Sequence, residues 1–118
     1  MNDSFEELIV KIKRENLPVD LTLIHRAFEF ADKAHEGQKR LSGEDYIRHP
    51  LAVAIFLVEW KLDSASIAAG LLHDTIEDSG VTLEKIEKEF GKAVAGLVDG
   101  VTKIREIKLK ESINNEIL

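Results

Sequence analysis

The sequence contains no cysteine, and this absence excludes several kinds of chemistry at once. Disulfide bonds, thiolate metal sites and cysteine nucleophiles are ruled out, so any metal must be held by histidine, aspartate or glutamate. The sequence also lacks an apolar run approaching the ~20 residues that a membrane-spanning helix needs. Its N-terminal segment, MNDSFEELIV, has no basic stretch of the kind that opens a secretory signal. We therefore expect a soluble, cytoplasmic protein with no membrane association.

Basic residues are fewer than acidic ones: the sequence has 16 lysines and arginines and 22 acidic residues, which gives a net charge of −6. This balance argues against general affinity for a nucleic-acid backbone or an anionic membrane. The charges are unevenly placed, however: residues 73–90 are locally acidic and residues 103–110 locally basic. The first stretch suits a cation and the second a phosphate, although a solvated helix face is the commoner meaning of a charged run.

Helical periodicity dominates the chain, and no strand-like alternation competes with it. A length of 118 residues with 44% hydrophobic residues suits a single domain, 1–118, around one modest core. The sequence therefore predicts an all-α fold. Residues 37–48 are predicted to form an irregular loop. A further amphipathic segment starts at residue 112, and we expect the sequence to end inside this helix. The predicted helices span about residues 4–14, 20–36, 50–61, 64–78, 83–90 and 92–103, with caps at Asp20, Ser64 and Thr82.

The string His73-Asp74-Thr75-Ile76-Glu77-Asp78 ends the most apolar of these helices and is the most informative part of the sequence. On one continuous helix, His73 would lie beside Glu77 and Asp74 beside Asp78. An imidazole with a carboxylate suits a divalent ion such as Mn²⁺, Zn²⁺ or Fe²⁺, and the remaining carboxylates could orient or deprotonate water. A capped histidine with exposed acids at a helix C-terminus explains the string equally well.

Two other histidines are predicted at helix ends, where antiparallel neighbours could bring them together. His49 is predicted near the N-cap of the third helix, and it is the histidine needed to complete a site with His73. His35 ends the second helix on its apolar stripe, so we expect it to be a hydrogen-bonded core residue or to support a ligand rather than to bind metal. We expect His25, beside Arg26, at the surface.

These residues belong to a longer pattern that resembles the N-terminal HD hydrolase domain of the RelA/SpoT homologues. The pattern covers about residues 20–118, and its HP, HD and ED motifs stand in the family's order. The resemblance implies an all-α HD-domain fold and Mn²⁺-dependent removal of the 3′-diphosphate from guanosine tetraphosphate or pentaphosphate, giving GDP or GTP and pyrophosphate. The matching segments are AHEGQKRLSGEDYIRHP at 34–50, AGLLHDTIED at 69–78, FG at 90–91 and LVDGVTK at 97–103.

The same resemblance assigns roles to individual residues. It implies that His49, His73 and Asp74 are metal ligands, and that Glu77 and Asp78 activate and position the attacking water. The motif in its HDxxED form is the one expected of a working hydrolase.

The loop at 37–48 would border the guanine nucleotide in such a protein. Arg40 matches a position that packs against the base, for which a planar guanidinium is suited, and Ser42 is a candidate nucleotide contact through its hydroxyl or backbone. From the residues alone, a surface arginine explains Arg40 better than a base contact does, and a turn explains Ser42 equally well. Basic residues of 103–110 are candidates for phosphate contact.

The family's fourth protein ligand is an aspartate in a downstream stretch resembling LADRLHNMRT, which this sequence does not reach. The resemblance therefore implies a partial domain, incomplete at its C-terminal end, whose isolated chain binds Mn²⁺ loosely and is weakly active or inactive. Synthetase and regulatory domains would follow in a longer chain.

Two further functions remain open at this point. One is a non-catalytic module that binds guanine nucleotides or a partner helix, with exposed apolar surface that favours a homo-oligomer. The other is an HD phosphohydrolase for another nucleotide, which keeps the metal residues and reassigns the loop.

Overall fold

The structure, a computed structural model, describes residues 5–38 and 47–103, without the side chains of Arg48, Glu77 and Asp78. These residues contain no β-strand, so the predicted all-α fold is confirmed. The segment after residue 103 and most of the predicted loop lie outside the described residues. The helices are α1 (Phe5–Arg14), α2 (Leu21–Ala34), α3 (Arg48–Glu59), α4 (Ser64–Leu72), α5 (Thr75–Ser79) and α6 (Leu83–Phe90), and residues 92–103 are also helical.

Two of the predicted caps are confirmed. The Asp20 carboxylate accepts a hydrogen bond from the Leu23 backbone N–H at 3.2 Å and begins α2. Thr82 likewise accepts from the Lys85 N–H at 3.1 Å and precedes α6, which ends at Phe90 and is followed by Gly91 with a φ of +93°. Each cap satisfies one of the N–H groups that a helix start leaves without an intrahelical partner.

The predicted cap of the fourth helix is wrong. Asp63, not Ser64, precedes α4, and its carboxylate accepts from the Ser66 N–H at 2.9 Å. The Ser64 hydroxyl instead accepts from the Asp20 N–H at 2.8 Å. This bond joins the N-terminal ends of α2 and α4, a tertiary use of serine that no local pattern shows.

Helix α4 lies at the centre of the core, as the apolar stretch from Ile67 to Leu72 predicts. It packs against both α2 and α3, and α1 packs against α3. Leu21, the first residue of α2, is 38% exposed and is not part of this core. All six residues from Ile67 to Leu72 in α4 are buried.

None of the helices within 5–38 and 47–103 has the length and apolarity needed to cross a membrane.

The prediction of one helix continuing through Asp78 is also wrong. Helix α4 ends at Leu72, and α5 begins at Thr75. The Thr75 hydroxyl donates to the Leu72 carbonyl at 2.7 Å, which offers the backbone an alternative to the helical bond at this point. His73 and Asp74 therefore occupy the turn between two helices.

Candidate metal centre

Three of the predicted site residues come from three different helix ends. His49 lies in the first turn of α3, His73 follows the last residue of α4, and Asp74 precedes α5. Helix α3 starts two residues earlier than predicted, so His49 is inside it rather than before it. Packing of α3 against α4 brings these ends together, and Gly70 lies in this contact, where an added Cβ would lie 2.7 Å from the Leu57 Cδ1 atom.

Asp74 lies between the two imidazole rings. Its Oδ1 atom is 3.2 Å from His73 Nε2, and its Oδ2 atom is 3.6 Å from His49 Nε2. The two ring centroids are 5.8 Å apart. One ligand atom from each residue can be chosen so that all three lie within 4.8 Å of one another. The structure thus brings together the three residues named as ligands, which lie up to 25 positions apart in the sequence.

The orientation of His73 leaves its outer nitrogen available for coordination. His73 Nδ1 lies 2.7 Å from the Gly70 carbonyl oxygen, which can only accept, so Nδ1 carries the proton and donates. In neutral histidine, the Nε2 lone pair then faces a carboxylate oxygen of Asp74 at 3.2 Å. Two acceptors at this distance repel each other unless a proton or a cation lies between them. A backbone acceptor that fixes the tautomer in this way is typical of metal-binding histidines.

The donor set fits a divalent transition metal. Bonds of about 2.0–2.2 Å to nitrogen and oxygen place neighbouring ligand atoms about 3.0–3.5 Å apart. The two histidine–carboxylate separations, 3.2 and 3.6 Å, are close to this range. Asp74 is buried and the His73 side chain is 10% exposed, whereas the His49 side chain is 36% exposed, so solvent reaches the centre from the His49 side. Two imidazoles and one carboxylate suit Fe²⁺, Mn²⁺ or Zn²⁺ and do not select among them.

The other predicted site residues lie partly or wholly outside the described part of the structure, except for Lys103. Glu77 and Asp78 lie in α5, but their side chains are outside the described part of the structure. Arg40 and Ser42 lie outside the described residues, as do the basic residues after Lys103. Lys103 is exposed and forms an ion pair with Asp99 on its own helical stretch, at 3.0 Å.

The two remaining histidines behave as expected. His25 is exposed and pairs with Glu29 at 3.2 Å along α2. His35 is 2% exposed at the end of α2, where its Nδ1 atom lies 2.8 Å from Gln38 Oε1 and 3.1 Å from Ser79 Oγ. The sequence predicted a hydrogen-bonded His35 but did not identify Gln38 and Ser79 as its partners. Ser79 directly follows the ED motif in the sequence, and this adjacency is the one feature that could have indicated a role for it.

Comparison with known proteins identifies the family. A family model described as "HD domain" matches residues 27–116. Guanosine-3′,5′-bis(diphosphate) 3′-pyrophosphohydrolase of Aquifex aeolicus is 50% identical over 107 residues, covering 91% of this chain and 15% of that protein. Bifunctional (p)ppGpp synthase/hydrolase SpoT of Escherichia coli is 49% identical over 96 residues, covering 80% of this chain and 14% of its own length.

A third relative has a name of a different kind. The "Probable GTP pyrophosphokinase" of Mycobacterium leprae is 46% identical over 113 residues, covering 95% of this chain. The chain spans 14% of that relative's length, so these relatives are all much longer proteins. The matched family model and the high identity to such relatives lead to one conclusion: the chain belongs to the HD domain family, in the form carried by the RelA/SpoT homologues.

Proposed function

We propose that this chain carries the hydrolase site of a RelA/SpoT homologue. The reaction is the Mn²⁺-dependent hydrolysis of guanosine 3′,5′-bis(diphosphate), or of the pentaphosphate, to GDP or GTP and pyrophosphate. The observation that carries the proposal is the meeting of His49, His73 and Asp74 in the HP and HD motifs. The names of the relatives include both hydrolysis and synthesis, because one relative is named a pyrophosphohydrolase and another a pyrophosphokinase. The presence of metal-ligand chemistry favours hydrolysis.

His49, His73 and Asp74 would hold the cation. When bound, a divalent cation supplies positive charge that polarises the phosphoryl oxygens and makes water more acidic. The chain's own contribution begins with orientation: the Gly70 carbonyl holds the His73 ring, and the Asp74 carboxylate lies between both imidazoles. Because Asp74 and His73 are buried, this arrangement is set before substrate arrives and needs little reorganisation.

Glu77 and Asp78 follow Asp74 in the next helical turn, on α5. In the proposed reaction, one carboxylate accepts the proton of the attacking water and the other orients that water. The water oxygen bonds to the phosphorus attached to the ribose O3′, the P–O3′ bond breaks, and O3′ gains a proton. The products are pyrophosphate and a nucleotide with a free 3′-hydroxyl. Arg40 would stack on the guanine base, with Ser42 beside it.

The proposal is tested by single-turnover assays with the chain in excess, since these detect slow hydrolysis. We expect pyrophosphate release from guanosine tetraphosphate with Mn²⁺ and none after chelation. Glu77→Gln should lose turnover and keep Mn²⁺ binding, whereas His49→Ala should lose both. Glu84→Gln, an exposed acid of α6, is the matched control.

Other results would favour the other functions. Tight, metal-independent binding of the tetraphosphate without turnover would contradict the proposal and indicate a binding module. Faster turnover of a nucleotide that lacks a 3′-diphosphate would show an HD phosphohydrolase with another substrate.

A further inference from the structure

A second polar cluster lies at the end of α2, distinct from the three proposed ligands. His35 is buried there, and Gln38 and Ser79 are half-buried beside it. Three separations join the side chains: His35 Nδ1 to Gln38 Oε1 at 2.8 Å, His35 Nδ1 to Ser79 Oγ at 3.1 Å, and Ser79 Oγ to Gln38 Oε1 at 3.2 Å. We call these residues the His35 cluster. It joins two segments that are 41 to 44 positions apart in the sequence.

The hydrogen positions in the His35 cluster follow from its acceptors. Gln38 Oε1 can only accept, so the His35 Nδ1–H and the Ser79 hydroxyl both donate to it. The backbone of Gln38 is held as well, because its N–H donates to the His35 carbonyl at 2.9 Å. Gly37, between them, has a φ of +79°, a conformation that glycine adopts without strain. The position of Gln38 is therefore determined by both its backbone and its side chain.

Helix α5 is held by tertiary contacts, including the buried Thr75 and the partly buried Ile76, which packs against the core, as well as contacts at its two ends. It has five residues, too few to be stable without tertiary contacts. Its first end follows Asp74, whose side chain makes no cap hydrogen bond to α5 and faces the histidines instead. Its last residue is Ser79, whose hydroxyl contacts His35 and Gln38. The residues between these two attachments include Glu77 and Asp78.

We propose that the His35 cluster is a positioning device for the hydrolytic reaction, which aligns the α5 carboxylates with the metal ligands. This inference rests on the proposed function. Asp74 attaches one end of α5 to the metal centre, and Ser79 attaches the other end to α2 through His35 and Gln38. Gln38 also directly precedes the segment that contains Arg40. His35, Gln38 and Ser79 thus act through other residues and do not touch the substrate.

Paired substitutions at His35 test this role. Asparagine can place an amide N–H near the position of Nδ1, whereas the longer glutamine places it near Nε2. We expect His35→Asn to keep kcat within about threefold of the unchanged chain, while His35→Gln and Ser79→Ala lower kcat about 10- to 100-fold, as misplaced catalytic groups do. KM and Mn²⁺ affinity should change by less than about threefold, because neither substrate nor metal contacts are removed.

Ser64→Ala is the matched control, since it removes a serine hydroxyl that joins α2 to the N-terminal end of α4, at the other end of that helix from His73. It should leave kcat unchanged. Equal kcat for His35→Gln, Ser79→Ala and the unchanged chain would overturn the positioning role. Equal losses of kcat in His35→Asn and His35→Gln would also overturn it, because they would show a need for the histidine ring and not for its Nδ1 donor.

Amide hydrogen exchange separates this inference from the proposed function. Ser79→Ala should raise exchange rates in α5 about tenfold or more while α1 is unaffected, because it releases one attachment of a short helix. Unchanged exchange in α5 would overturn the role of the cluster. A chain that hydrolyses no 3′-diphosphate, yet shows faster α5 exchange in Ser79→Ala, would contradict the proposed function and leave the attachment of α5 demonstrated.

Discussion

Replacing Asp74 with asparagine is expected to remove most of the stability that a divalent cation gives to the folded chain. Asparagine keeps the size of the side chain and removes its charge. Asp74 is 2% exposed, and its two oxygens lie 3.2 and 3.6 Å from the two imidazoles, so no other described carboxylate is placed to substitute for it. The unfolded chain has no preformed site, so metal binding adds directly to folding stability.

The magnitude follows from mass action. At a Mn²⁺ concentration one hundred times its Kd, binding stabilises the folded state by about 2.7 kcal/mol. If Asp74→Asn weakens binding about 100-fold, the same concentration equals the new Kd and contributes only about 0.4 kcal/mol. For a domain of this size, these figures correspond to rises in Tm of about 10 °C and about 2 °C. The expected difference is therefore easily measured.

The assay is thermal unfolding followed by circular dichroism, with and without Mn²⁺, after Kd has been measured by calorimetry. Asp99→Asn is the matched control, because it removes the same charge from an exposed ion pair with Lys103. It should keep the full metal-dependent rise in Tm. A rise of about 10 °C in Asp74→Asn, or no rise in the unchanged chain with any divalent transition metal, would refute the proposed metal centre.

Three further predictions concern stability. The Ser66 hydroxyl and N–H lower the pKa of Asp63, so its contribution is present above the unfolded pKa of about 3.9 and is lost as pH falls through the lower folded value. Asp63→Ala should cost about 1 kcal/mol in urea unfolding at pH 7, and the cost should shrink below pH 4; a cost that persists at low pH would contradict the cap. Gly96→Ala should raise the free energy of unfolding by about 1 kcal/mol, since the added Cβ meets open space in a helix. Gly70→Ala should not raise it, because the side chain of Leu57 must move to admit the Cβ. Equal changes in Tm for the two variants would contradict this reasoning. Leu71→Ala, at a fully buried position, should lower the free energy of unfolding by about 2–5 kcal/mol, and a loss under about 1 kcal/mol would place it outside the core.

Much of the fold could be predicted because helix signals are local. Apolar periodicity placed α1, α2 and α6 to within about two residues, the usual uncertainty of helix ends. The side chains of Asp20 and Thr82 cap the helices that follow them, as their positions indicated. Where prediction failed, a nearby polar group offered a competing bond. The Thr75 hydroxyl donates to the Leu72 carbonyl where α4 ends, and Asp63 caps α4 in place of Ser64.

The candidate site could be predicted only in part. The motifs and their resemblance named His49, His73 and Asp74, but not the distances among them. Those distances depend on the packing of α3 against α4. The roles of Glu77, Asp78, Arg40 and Ser42 stay predictions.

The sequence by itself determined most of the helices, the placement of the most apolar helix at the centre, and the residue types available to a metal, since cysteine is absent. These are consequences of composition and of a 3.6-residue period, which act over a few positions. Only the tertiary structure decided that Asp74 lies between two histidines, and that His35 meets Ser79 across 44 positions. Contacts between separate helices depend on how their surfaces pack, and no local pattern encodes that distance.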